Sequence, residues 1–453
     1  MAATFVVLLA GVLAPEVFAK TPEQVPGLLM GGAGALATSR EFVAAPVDPG
    51  LPRGARIIAA PRPDAAVTRC SMRHPVCAHW VTAADTEQLQ VAATLRALEH
   101  AYERAVVVLG LPAPLSDGAL GGGPELDLYA LKAGSAPYPD SARLDPALLA
   151  TDSASAFCTY SGRVVSEQVA LRCVAGAIAA RLDAAESPAT RDAYAGAIAA
   201  LLAPRTSVDH DALGAWQANP QLATVGREVN STSRATATWF EFLDSKYGTG
   251  EPAALISALL GVSRGTTADA HPEWSNAPDL LDALRRSFGD DAKQFAQLWR
   301  EFAVQRATWG RPESTRPDLD PLPPDWTLDY SSLPRRVAGP RALEPLGSGV
   351  VEVKLDDVPL GVRLGLAVEW EEPGAFVWTV LALDRDGVQV NRWDLPYLEK
   401  GHRLEQTLMN FESAARLLII GTNLGGIDLR HPFDPDHEPW EPHAYTVHLV
   451  SLF

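Results

Sequence analysis

Residues 362–370 read Val-Arg-Leu-Gly-Leu-Ala-Val-Glu-Trp, with a large apolar side chain at every even position. A period of two marks a strand with one face buried. The same reading extends outward to Val350–Leu355 on one side. On the other it covers Phe376–Leu383, Val388–Trp393, Leu404–Leu408, Arg416–Ile420 and Tyr445–Leu452. Short strands split by Gly, Pro and Asp turns predict an antiparallel β-sandwich over residues 346–453. Trp370 and Trp378 fall on alternating runs, which assigns them to core packing rather than to sugar stacking.

Upstream, residues 308–345 carry prolines at 312, 317, 321, 323, 324, 334, 340 and 345, a stiff linker or surface strap. Before it the period is 3.6. Thr82 and Asp85 form a capping box opening a helix through Val91, Leu95, Leu98 and Tyr102 towards Gly110. Leu126–Leu131 is a strand. Helices are expected over Ser166–Leu182, from Ser187-Pro188 to Leu202, and over 236–247, ended by Gly248 and Gly250. Ala253–Leu260, Pro278–Phe288 and Asp291–Gln305 follow. The expected fold class is α+β and multidomain: a helix-rich domain at 66–307, then the antiparallel sandwich.

The compartment is read from the ends and the cysteines. Residues 1–19 hold a short apolar run with Val17-Phe18-Ala19 before Lys20, which fits a cleaved signal peptide, although the run lacks a basic start. Residues 20–65 are rich in Pro, Gly and Ala and read as extended chain; Gly32–Ala37 within them matches GxGxxA without the strand and helix a dinucleotide site needs. Cys70, Cys77, Cys158 and Cys173 are an even set, and their spacing favours Cys70–Cys77 and Cys158–Cys173 disulfides. Each loop of this size contributes about 2–3 kcal/mol. The competing reading is zinc on Cys70, His74, Cys77 and His79, whose spacing matches no common finger. Few lysines among many arginines, with abundant Ala, Gly and Pro, suggest a GC-rich bacterial source. No stretch reaches the length of a transmembrane helix. The localisation expected is secreted, periplasmic or cell surface.

The chain has 38 basic and 55 acidic residues, a formal charge of −17, which argues against nucleic acid and a polybasic membrane role.

Leu95–Arg104 with Leu109-Gly110-Leu111-Pro112, the strand Leu126–Leu131, two helices and Ala237–Gly248 follow one another in a layout that resembles gluzincin-type (peptidase-MA-like) zinc metallopeptidases. The resemblance implies a zinc helix, yet no HExxH occurs in the chain. If that helix is Ser166–Ala170, the two histidine positions hold Ser166 and Ala170, and only Glu167 matches; Glu186 is then the third-ligand candidate. If Val174–Ala179 is the family's later helix, the acidic position falls on Ala175 or Gly176. Either register implies a scaffold that has lost its peptidase chemistry, with Glu167 a solvated helix residue. The sandwich resembles the pre-peptidase C-terminal domains appended to secreted bacterial hydrolases.

Three other motifs carry residues capable of catalysis or metal ligation. Gly261-Val-Ser263-Arg-Gly265 satisfies GxSxG, with Asp269, His271 and His402 as partners, but a nucleophile elbow needs a strand before it and a helix after. His100 and Glu103 form HxxE without a second such helix. Asp434, Asp436, Glu438 and Glu441 are weak calcium candidates on a Pro-rich loop, with a charged edge hairpin as the simpler reading. No other metal or cofactor is expected. The reading is an exported, non-catalytic binding or envelope-associated protein whose partner is a protein or cell-envelope polymer. The alternative is a secreted hydrolase using Ser263 or a non-standard metal site.

Overall fold

The computed structural model describes residues 60–452, except 83–87, 132–141, 146–151, 162–164, 204–209, 226–230, 249, 265–278, 288–290, 312–313, 357, 360, 412 and 426–440. The leader, the Gly32–Ala37 motif and Asp85 lie outside the described residues. The fold is α+β.

The first sheet holds β1 (Val67–Cys70), β2 (Val76–Trp80), β3 (Leu126–Leu131), β4 (Ala142–Leu144) and β5 (Ala156–Ser161). Its order is β1-β2-β3-β5-β4; β2, β3 and β5 run parallel, with antiparallel strands at both edges. The sequence reading found only β3 here. β2 is buried at all five positions and β5 at its first four, so neither shows an alternation of apolar and polar residues. On one face Val76, Ala78, Trp80, Leu126 and Leu128 join a core with α1 (Gln88–Tyr102) and α2 (Glu167–Leu182). A π-helical turn over Glu103–Val108 continues α1. Cys70–Cys77 closes the β1–β2 hairpin, and Cys158–Cys173 ties β5 to α2. Both cysteine pairs are therefore taken, which removes the zinc reading of Cys70, His74, Cys77 and His79.

The helices start where the caps expect them. Ser166 accepts from the Val169 N–H, and Ser187 from that of Thr190, ahead of Pro188 in α3 (Pro188–Leu202). α4 (His210–Gln217) is an addition to the sequence reading, and α5 (Ser231–Tyr247) starts earlier than expected. α6 (Ala254–Ser263), α7 (Leu280–Ser287) and α8 (Ala292–Thr308) complete the set, with Asp291 capping α8. α3 packs on α2 and α5. Gly196 permits the approach: a Cβ there would stand 2.9 Å from Arg172 Nη1 and 3.0 Å from the Ala237 Cβ.

Beyond α8 come β6 (Trp326–Asp329), β7 (Arg335–Ala338), β8 (Ser348–Lys354), β9 (Arg363–Trp370), β10 (Phe376–Leu383), β11 (Gln389–Asp394), β12 (Arg403–Leu408), β13 (Arg416–Asn423) and β14 (Tyr445–Leu452). They form sheets of order β11-β10-β13-β8-β6 and β12-β9-β14-β7. β6 and β7 lie inside the proline-rich 308–345 stretch, so that segment supplies one edge strand to each sheet. Leu364, Leu366, Val368 and Trp370 of β9 face Phe376, Trp378, Val380 and Ala382 of β10 across the sandwich core. Trp378 needs Gly421 beneath it, where a Cβ would come within 2.5 Å of the indole. The other face of the five-stranded sheet is also covered: Val350, Leu381, Leu383, Leu418 and Ile420 pack on Ala303, Val304 and Ala307 of α8. Arg392 pairs with Glu301 of α8 at 2.5 Å, and Ser348 N–H donates to the Pro220 carbonyl at 2.8 Å.

Candidate functional site

The residues singled out by sequence do not converge. Glu167 sits in the first turn of α2, partly exposed, 3.2 Å from both His100 Nδ1 and Arg104 Nη1. It ties α2 to α1 as a surface ion cluster. Glu186 lies past the far end of α2, whose 16 residues span about 24 Å. Its carboxylate is buried and accepts the N–H groups of Ser187 at 2.7 Å and Leu280 at 2.8 Å, capping α7. The two acids cannot share one metal. Ser166 spends its hydroxyl on the helix cap, and Ala170 is buried in the core.

Ser263 is the last residue of α6, and its Oγ donates to the Leu260 carbonyl at 2.9 Å. A buried serine at a helix end is not a nucleophile elbow, which corrects the GxSxG alternative. Asp269 and His271 lie outside the described residues, and His402 is exposed beside Glu372. Of the calcium candidates, Asp434, Asp436 and Glu438 lie outside the described residues, and Glu441 is exposed.

Sequence reasoning missed two features. The first is the other face of the first sheet. Register places Cys77 beside Asp127, and His79 beside Tyr129, which in turn pairs with Thr159, all turned away from α1 and α2. The segment before β1 covers this face and delivers Arg62 into it. Arg62 meets Asp145 through Nε at 2.9 Å and Nη2 at 2.7 Å, Asp117 at 2.5 Å, and Asp127 through Nη1. The guanidinium carbon also stands 4.9 Å from the Phe157 ring centroid. Asp127 also takes His79 Nε2 at 2.7 Å, while His79 Nδ1 is 2.9 Å from Thr68 Oγ1.

Three buried carboxylates thus share one guanidinium. Burial pushes Asp117 up to about 6; Arg62 opposes this, and the charges of Asp127 and Asp145 add to it. Among the described residues, ligand atoms of Cys77, His79 and Asp127 lie within 4.8 Å of one another. That set does not fit a metal, because the Cys77 sulfur is bonded to Cys70 and Asp127 already holds Arg62. The network is a structural charge centre.

The second feature is a cleft of about 850 Å3 between α3, the end of α5, the α5–α6 turn and the strap after α8. Its size lies within the range of small-molecule sites. Ile198 and Leu201 of α3, Phe240 of α5 and Ile256 of α6 make the apolar part of its wall. Glu241, Asp244, Glu251 and Asp318 line it as well, against one cation, Arg316. Arg316 leans on Asp318 at 3.4 Å and lies 3.9 Å from Glu241.

The turn that builds the cleft is strained. Ala253 has φ of 63°, a left-handed conformation that a residue with a Cβ adopts at a cost. Asp244 holds it there, its Oδ2 accepting the Ala253 N–H at 2.8 Å. Asp244 Oδ1 is enclosed with no hydrogen-bond partner. Burial raises the pKa of Asp244, opposed by the N–H groups of Ala253 and Leu255; burial also raises that of Glu241, opposed by Arg316. The sequence signal for this site was Gly248, Gly250 and Pro252 after an amphipathic helix, which reads equally well as an ordinary turn.

No family model matches the chain, and no curated protein matches it. Among solved structures it is similar to the pre-peptidase C-terminal domain of a Bacillus anthracis collagenase, at 10% identity and TM-score 0.18, over 28% of this chain and 96% of that one. It is also similar to a periplasmic inhibitor of g-type lysozyme from Aeromonas hydrophila, at 13% identity and TM-score 0.15, over 28% of this chain and 99% of that one. A third is the enzymatically active domain of tailspike protein 4 from bacteriophage CBA120, at 10% identity and TM-score 0.17, over 26% of this chain and 18% of that one. TM-scores this low carry no argument, and the gluzincin resemblance rests on the sequence alone.

Proposed function

We propose that the chain is an exported, non-catalytic binding protein whose ligand site is the cleft between α3, α5 and the strap. The observation that carries this reading is the cleft itself: about 850 Å3, partly apolar, edged by carboxylates and built on a strained turn. Export is supported by the two disulfides. On this reading the helix-rich domain is a metallopeptidase-like scaffold whose zinc chemistry has been lost, with Ser166 and Ala170 where histidines would stand.

The test is retention of small amphiphiles of all charge types by the full chain in equilibrium dialysis, beside the cleft-filling variant Ala200→Trp. Ala200 lines the cleft at a half-buried position that accepts a larger side chain. The native chain is expected to retain at least one class, and Ala200→Trp to lose it. Equal retention by both proteins would overturn the cleft as the site. One zinc per chain in the purified protein would overturn the lost-site reading.

A further inference from the structure

We infer that the second face of the first sheet holds a guanidinium-binding site, separate from the cleft, which Arg62 fills from within the chain. The same site takes an alkylguanidinium, the head of an arginine side chain, when segment 60–66 lifts away from it.

The fit of the occupant is the first argument. Each guanidinium nitrogen of Arg62 faces an acceptor. Nε and Nη2 meet the two oxygens of Asp145 at 2.9 and 2.7 Å, and Nη1 meets Asp127 and, at 3.4 Å, the Tyr129 hydroxyl. The Phe157 ring centroid lies 4.9 Å from the guanidinium carbon. A two-pronged bond to one carboxylate beside an aromatic ring suits a planar guanidinium and not a compact ammonium.

Charge is the second argument. One carboxylate neutralises a guanidinium. A structural ion pair gains nothing from two further buried carboxylates, each of which costs desolvation. The tethered occupant also leaves the site unsatisfied. Arg62 Nη2 stands 2.5 Å from Asp117 Oδ2, yet both Asp117 oxygens are enclosed without a hydrogen bond. Among the described residues of this site, the enclosed atoms left unsatisfied are those two acceptors, so the wall calls for donors.

The third argument is how the occupant is held. The Ala60 N–H donates to the Leu144 carbonyl at 3.1 Å, and the Ala66 N–H to that of Trp80 at 2.8 Å. Between them Pro61 and Pro63 have no N–H, and Pro61, Asp64 and Ala65 are exposed. Among the described residues, no backbone hydrogen bond joins 61–65 to the sheet. The middle of the segment is therefore anchored by its guanidinium. Because that group is tethered, it competes at an effective concentration on the order of millimolar or above, which keeps a dilute free guanidinium out of the intact chain.

The experiment is thermal unfolding of the full chain and of Arg62→Ala with ethylguanidinium or ethylammonium, at a pH above the raised value of Asp117. Ethylguanidinium is the part of the side chain that Arg62→Ala removes. It is expected to raise the melting temperature of Arg62→Ala at about one-tenth of the concentration that ethylammonium needs, and to leave the native chain unchanged at that concentration. On the native chain, where no folding defect intervenes, excess ethylguanidinium is expected to speed hydrogen exchange at the Ala66 amide, and ethylammonium is not. If Arg62→Ala folds with neither probe, this exchange measurement decides. Equal effects of the two cations on Arg62→Ala would overturn the guanidinium site. An equal shift of the native chain would place the binding elsewhere and overturn it too, as would Ala66 exchange that excess ethylguanidinium leaves unchanged.

Discussion

β9 and β2 are both inner strands of their sheets, and only one of them announces itself. β9 alternates, burying Leu364, Leu366, Val368 and Trp370 while the residues between stay at least partly accessible. β2, Val-Cys-Ala-His-Trp, is buried at every position. The difference lies in what covers the second face. The four-stranded sheet leaves the outer side of β9 within reach of water, so polarity follows the pleat. The second face of the first sheet is sealed by chain, through Arg62 and its three aspartates. A strand closed on both sides has no polar rhythm to read and must be found by length and apolar composition: β10, also buried at every position, is an eight-residue run, whereas β2 has five residues with Cys, Ala and His among them. Polar residues in such a strand, here His79 and Asp127, mark a buried network.

Replacing Arg62 gives the largest expected effect on this contrast. Arg62→Met leaves Asp117, Asp127 and Asp145 buried without their guanidinium and is expected to cost about 3–5 kcal/mol in chemical denaturation. A loss under about 1 kcal/mol would mean that the second face is hydrated and that the sealed-strand explanation fails. The sandwich provides the next test. Leu366→Ala is expected to cost about 2–5 kcal/mol, whereas Thr407→Ala on the neighbouring strand stays within about 0.5 kcal/mol. Similar losses from the two would refute the assignment of faces.

The smallest effect is one of pH. Native Asp117 keeps its proton to about pH 6, while an unfolded aspartate releases it near its ordinary value of 3.8. Between those values the folded state binds the extra proton, so this group's contribution to stability falls as the pH rises through the window. Asp117→Asn is expected to flatten that decline in thermal unfolding between about pH 4 and 6. An unaltered profile would place the titration elsewhere.

The sandwich was legible in its seven short runs between turns, and Phe376–Leu383 and Tyr445–Leu452 coincide with β10 and β14 at both ends. β6 and β7 were hidden because each is four residues long and the prolines around them read as linker. The helices were legible from Ser187-Pro188 and Asp291, whose caps work as local chemistry dictates. The cleft was not legible. It is assembled from residues 197–201, 240–256 and 315–318, and no local pattern records that three distant segments meet. Gly248 and Gly250 look the same in sequence whether the turn they make is idle or lines a wall. Arg62 was hidden for the same reason, since its partners lie at 117, 127 and 145.

The strands β6 and β7 bear on how this protein can be taken apart. A stretch that places one strand in each sheet of the sandwich is not a hinge, and it is not a seam either. A cut at residue 346 would strip an edge strand from both sheets and leave Val350 and Ile420 without α8. A cut before 326 would still strand the apolar outer face of the five-stranded sheet in water. The sandwich is therefore not a cassette to be swapped onto another protein. Its inheritance is tied to α8, and any recombination that moves it must carry the last helix of the preceding domain along.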